Sequence, residues 1–236
     1  MQKISKVAAV LTAFAATTAL AGAAHAENND NGKFQFKVLA TDVLPSGSLS
    51  TVTDPHSLTA TTGPLNGLNT TANDNVTPTI AVEYFVMPSV SVETIAGISS
   101  HHVSSPALGG VGLVDHAQVI PFTLTAKYHF VGLLPAGIKP YIGAGPTLFA
   151  WINDRPSAAL QSSFGITRTK LSSDVGAVVQ AGVDVPVGNG YSLSLDAKKY
   201  FVNTNAHFYT AALGDTLDAK VHLNPWVLSA GIAYRF

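Results

Sequence analysis

The chain contains no cysteine. That excludes disulfide staples, thiolate catalysis and any cysteine-based metal site. It is also poor in charge: Asp, Glu, Lys and Arg make up 11% of 236 residues, against about 25% in ordinary soluble domains. Basic residues are not in excess, so nothing favours a nucleic acid partner. The third absence is the most informative. Hydrophobic residues reach 47%, yet no apolar run after residue 26 approaches the roughly 18 residues that a spanning helix needs. Apolar residues without apolar blocks must be dispersed by alternation. A membrane admits that pattern only as a closed barrel.

The N-terminus indicates export. Lys3 and Lys6 precede the moderately apolar stretch VAAVLTAFAATTALAGA, and AHA at 24–26 fits a small-x-small cleavage site. Residues 1–26 read as a signal peptide, leaving 27–236 as one domain. Without the two leader lysines, 11 basic residues face 14 acidic ones.

Eight strand-like segments follow: 33–41, 78–86, 90–101, 118–130, 138–151, 173–185, 191–201 and 223–236. The connections alternate between long and short. Segments 42–75, 102–117, 152–171 and 202–220 read as long polar loops, while MPS and PVGNG are tight turns. An even strand count with alternating loop lengths predicts an all-β fold, an eight-stranded antiparallel transmembrane β-barrel with long extracellular loops and short periplasmic turns. Both termini then lie on the periplasmic side, and the location is the outer membrane of a Gram-negative bacterium.

Charge placement separates such a barrel from a water-soluble sandwich. Glu83, Glu93, Lys127, Asp196, Lys198 and Arg235 alternate with bulky apolar neighbours, as do His129, Gln180 and Asp184. In a barrel the apolar parity meets lipid and the ionic parity fills the lumen. Lys199 breaks the parity near the outer end of its strand, where a long side chain snorkels. Tyr84, Tyr128, Phe130, Tyr191, Tyr234 and Phe236 fall near the periplasmic ends, and Trp151, Phe201 and Trp226 near the outer ends. These are the two expected interface girdles. The chain ends LNPWVLSAGIAYRF, whose terminal Phe resembles the signal read by the barrel insertion machinery.

The stretches VSVETIAG after FVMP, PFTLTAKYHF, KPYIGAGPTLFAW and VHLNPWVLSAGIAYRF resemble the OmpW family of outer membrane proteins. The resemblance implies an eight-stranded barrel with a narrow, partly apolar lumen. It also implies passive passage of small hydrophobic solutes, with lateral exit into the surrounding outer-membrane lipid. Ile95, at the family's apolar constriction, Val119 and Val178 have lumen parity, and Lys198 stands where an apolar wall would help to close the tube. The ionic lumen residues read either as a paired, charge-neutralising plug or as a polar floor that stops an apolar solute.

Other function classes are weaker. His101, His102 and His116 lack any tight ligand spacing and read as solvated loop residues, so no metal is expected. Ser99, His101 and Glu93 share a face, but no nucleophile motif such as GxSxG accompanies them, and no enzyme is expected. PYIGAGP contains GxG without GxGxxG or a βαβ context, so no nucleotide or other cofactor is expected; its glycines read as sites of bending and close strand approach. The Thr/Asn/Gly/Pro-rich loop 42–75 suits a receptor barrel that binds phage, toxin or another surface partner.

Overall fold

The computed structural model describes residues 32–44, 46–53, 69–72, 75–105, 111–210 and 214–236. Residues 1–26, read above as a signal peptide, and the middle of the 42–75 segment lie outside the described residues. In chain order the strands are β1 (Phe34–Leu44), β2 (Gly47–Thr53), β3 (Asn69–Ala72), β4 (Asn75–Met87), β5 (Val90–Ala96), β6 (Ser99–Ser105) and β7 (Val111–His129). There follow β8 (Lys139–Pro156), a short helix α1 (Ala158–Phe164), β9 (Ile166–Leu171), β10 (Asp174–Gly188), β11 (Tyr191–Thr210), β12 (Gly214–Leu223) and β13 (Trp226–Arg235).

Eight of these close a barrel. β1 pairs with β4, and the circuit runs through β5, β7, β8, β10, β11 and β13 back to β1, antiparallel throughout. At the seam Phe34 and Phe236 exchange backbone hydrogen bonds of 3.1 and 2.9 Å. One end carries tight turns. Pro88–Ser89 joins β4 to β5, and Asn189–Gly190 joins β10 to β11. Asn189 (φ 53°) and Gly190 (φ 81°) both sit in the left-handed region, which Asn and Gly tolerate and which matches the twist of a two-residue hairpin.

The lipid face follows from parity. Val38, Leu124, Ile142, Val179 and Ile232 are 47–54% exposed, a density of bare aliphatic surface that only a membrane makes favourable. Around the turn end, Phe34–Tyr84, Tyr128–Phe130 and Tyr191–Tyr234 pack ring to ring at 5.1, 5.2 and 4.7 Å. They form the periplasmic girdle with Phe236. Trp226 and Phe201 mark the outer one. Trp151 does not belong there. It shares the parity of Tyr141, Thr147 and Phe149 and packs against the lumen core.

The long connections also differ from expectation. Much of 102–117, 152–171 and 202–220 is strand: β6, the first half of β7, the end of β8, β9, the end of β11 and β12. These extend the barrel beyond the membrane, with β12 replacing β13 beside β11 and β2 pairing β12. Antiparallel pairing persists because backbone ladders do not depend on lipid.

The chemistry of the two faces inverts along the way. Within the membrane, β11 turns Ser194, Asp196 and Lys198 inward and Leu193 and Leu195 outward. Above it, Val202, Thr204, Ala206 and Phe208 are buried inside, while Asn203, Asn205 and His207 face out. Two substitutions on this strand test the inversion. Leu195→Arg, at mid-membrane on the lipid face, is expected to cost about 2–4 kcal/mol, whereas Asn205→Arg stays within about 0.5 kcal/mol. Urea unfolding in phospholipid vesicles checks both; equal costs would place the membrane elsewhere on the strand.

Candidate functional site: an ionic lumen floor beneath an apolar core

The lumen floor is built from strands on opposite sides of the barrel. Glu83 on β4 stands directly opposite Glu93 on β5, a like-charge cross-strand pair that is unfavourable by itself. Two lysines resolve it. Lys127 Nζ reaches Glu83 Oε2 and Glu93 Oε2, each at 2.9 Å. Lys37 Nζ reaches Glu83 at 3.0 Å and Glu93 and Asp184 at 3.4 Å. Lys198 bridges Glu93 at 3.3 Å and also pairs with Asp196. All three lysines and Glu83 are essentially inaccessible to solvent. Buried charges are tolerable only when paired and hydrogen-bonded in this way.

Neutral groups complete the floor. The Tyr141 hydroxyl donates to Asp196 Oδ2 at 2.9 Å, and its ring lies 3.7 Å from Lys127 Nζ and 5.1 Å from Lys37 Nζ. His129 Nε2 donates to Glu83 Oε1 at 2.8 Å, and the Ser91 hydroxyl donates to the same oxygen. Gln35 and Gln180 donate to Asp184 and Glu93 at 3.2 and 3.4 Å. Gly143 supplies room: a Cβ there would stand 2.9 Å from Lys127 Cγ and 3.0 Å from Gln180 Cγ.

Below the floor, at the periplasmic mouth, lies a small open recess bordered by Gln35, Phe85, His129, Asp184 and Arg235. The Arg235 guanidinium sits 3.6 Å from the Phe85 ring, and its Nε donates to Gly32 O at 2.7 Å. Arg235 thus faces inward as expected but guards the mouth, and Glu83, Glu93, Lys127, Asp196 and Lys198 form the network above it.

On the other side of the floor the lumen becomes apolar. A thin layer of hydroxyls comes first: Thr41 with Ser229 at 2.9 Å, and Thr123 with Thr147 at 3.0 Å and with Tyr200 at 3.4 Å. Val119, Phe149, Val178, Tyr200, Val202 and Val227 then form a buried cluster flanked by Val43, Trp151 and Leu223. The four residues expected at a constriction therefore separate. Val119 and Val178 meet in this cluster. Ile95 packs with Leu39 and Ala81 in another. Lys198 belongs to the ionic floor and does not close an apolar wall.

Higher still, Ile166, Ala206, Phe208 and Ala219 make a further apolar cluster inside the extension. Sequence reasoning put none of these residues in the lumen, nor did it recognise Lys37 and Tyr141 as central to the floor. The signal was present for β11, whose alternation runs unbroken past Phe201 with its chemistry swapped. Among the described residues no group of His, Asp or Glu is arranged to hold a metal ion.

The fold and sequence have relatives. The crystal structure of outer membrane protein OprG from Pseudomonas aeruginosa superposes with a TM-score of 0.74 at 21% identity, covering 87% of this chain and 96% of that one. An uncharacterised outer-membrane protein of Sinorhizobium fredii, y4mB, is 31% identical over 183 residues, spanning 76% of this chain and 75% of its own. PahQ of Pseudomonas aeruginosa, named as a dibenzothiophene metabolism operon protein, is 28% identical over 169 residues, 70% of this chain and 74% of its own. Residues 30–236 match the OmpW family, and with an eight-stranded barrel whose ends carry aromatic girdles the chain belongs to that family of outer membrane proteins.

Proposed function

We propose that the protein is a passive entry conduit that takes small apolar molecules from outside the cell into the outer membrane. The observation that carries this reading is the inversion along the wall: oil-like inside above the membrane, ionic inside within it. An apolar solute gains by leaving water for the upper interior, roughly 25 cal/mol for each Å² of apolar surface buried. It gains nothing by going on to a floor of desolvated carboxylates and ammonium groups. The favourable continuation is sideways into the bilayer.

An interruption in the wall's pairing supports that exit. β10 pairs with β8 only as far as Asp174↔Phe149, and β9, which follows in space, pairs with β11 instead. Among the described residues β8 beyond Phe149 therefore has no ladder on that side, at the level where Trp151 flanks the apolar cluster. Parting two segments that share no strand ladder costs far less than breaking one. The likeness to PahQ, whose name ties it to the metabolism of a fused aromatic sulfur compound, fits a cargo of this chemistry.

Val202→Asp tests the reading, because it places a carboxylate in the apolar cluster at least one strand step above the ionic floor. Uptake of naphthalene by intact cells carrying the variant is expected to fall at least tenfold against wild type, with leakage of a small polar solute unchanged. Equal naphthalene uptake by cells with wild-type protein and cells with none would overturn the proposal.

A further inference from the structure

We propose that Trp151 makes the conduit selective: its indole N–H donates a hydrogen bond to apolar solutes that carry one neutral carbonyl, and so favours them over plain hydrocarbons. The selection rests on the conduit read above and names the solutes that conduit prefers. Among the described residues Trp151 Nε1 is buried and has no hydrogen-bond partner. A buried Trp N–H ordinarily has one, and an orphan of this kind calls for an occupant that supplies it.

The side chains around the indole do not supply the acceptor. Trp151 stands across from Val119 in the β7–β8 ladder and flanks a cluster that is otherwise Phe149, Val178, Val202 and Val227 with Tyr200. The Tyr200 hydroxyl is the one side-chain oxygen of that cluster, and it is engaged with Thr123 at 3.4 Å. The hydroxyls next below bond to one another, Thr41 with Ser229 and Thr123 with Thr147. One level higher the same situation recurs. Thr169 is 3% exposed and lies beside Phe208 of the upper apolar cluster, and among the described residues its hydroxyl has no partner. Two apolar stations therefore each hold one polar group that is able to donate.

The chemistry of the donor defines the solute. An indole N–H donates and cannot accept, so the solute has to bring an acceptor. A carboxylate or other ion would lose its hydration among valines and phenylalanine, and a molecule with several hydroxyls would leave most of them unbonded there. A hydrocarbon body with a single ketone or ester oxygen meets both demands: the body packs against the cluster and the oxygen completes the N–H. Position adds to the effect. The ladder between β8 and β10 ends at Phe149↔Asp174, two residues before Trp151, so the donor stands at the interruption through which a solute leaves. A plain hydrocarbon reaches the same place without gaining the bond.

Acetylnaphthalene and ethylnaphthalene, which match in shape and differ in the carbonyl, test this. The chain has two tryptophans, so the full-length mature barrel in lipid nanodiscs gives two indole N–H signals by NMR, with the exposed Trp226 as the reference for solute dissolved in lipid. The ketone is expected to move the Trp151 signal downfield of its place with ethylnaphthalene, and by more than it moves Trp226. In intact cells, Trp151→Phe, which keeps a ring and removes the N–H, is expected to lower the ratio of ketone to hydrocarbon uptake about fivefold, the net worth of one neutral hydrogen bond. A Trp151 signal that both solutes leave alike, a displacement confined to Trp226, or an unchanged ratio in the folded variant would sink the selection while leaving the conduit standing. Ethylnaphthalene uptake that is the same in cells with wild-type protein and cells with none would remove both.

Discussion

Lys127→Met is expected to destabilise the barrel by about 3–5 kcal/mol, the usual consequence of removing one partner from a buried ion pair. Its ammonium makes the two 2.9 Å contacts that separate Glu83 from Glu93, and it also lies against the Tyr141 ring. Methionine keeps the volume and removes the charge. Two carboxylates directly opposite one another are then left chiefly to Lys37, which already serves Asp184. The measurement is the urea midpoint in phospholipid vesicles, read by tryptophan fluorescence. Adding Glu83→Gln to Lys127→Met is expected to restore a sizeable part of the loss, since it removes the charge left uncompensated. A Lys127→Met barrel with an unchanged midpoint would mean that the floor is hydrated and loosely coupled.

Gly145→Val is expected to abolish folding, with a cost above about 3 kcal/mol. A Cβ at Gly145 would lie 1.9 Å from Leu124 O and 2.9 Å from Thr125 Cα. Both are backbone atoms of the neighbouring β7, so no rotamer change relieves the clash and the strands have to part. Gly97→Ala is the control: its Cβ would meet the Thr79 side chain at 3.2 Å, which can shift. The folded fraction, judged by heat-dependent gel mobility after refolding into vesicles, is expected to vanish for Gly145→Val and to remain near wild type for Gly97→Ala. Recovery of folded Gly145→Val would show that β7 and β8 can separate locally without losing the barrel.

Parity carried most of what could be read from the chain. In a barrel each residue has only two directions to face, so Glu83, Glu93, Lys127, Asp196, Lys198 and Arg235 could be assigned inward from their apolar neighbours alone. What parity cannot supply is height and partner. Lys37 sits on β1 and draws its counter-charges from β4, β5 and β10; no local pattern reports that convergence. Tyr141 lay in a glycine-rich stretch whose glycines attracted the reading; Gly145 does allow close strand approach, while Gly143 clears space for the Lys127 and Gln180 side chains beside Tyr141. Trp151 was misplaced by reasoning from height when its parity with Phe149 was the better guide. The extension was read as loop because 102–117 carries Pro and Gly and the stretches 152–171 and 202–220 are polar. Hydropathy contrast is weak there, although the buried positions Val202, Ala206 and Phe208 keep the two-residue period.

The salt-bridged floor also has an electrical consequence. A hydrated ion crossing it would have to shed its water and displace ammonium–carboxylate pairs that already neutralise each other. The floor is therefore expected to oppose ion flow through the tube. A cell can display many copies without short-circuiting the Donnan potential across its envelope or admitting water-soluble toxins.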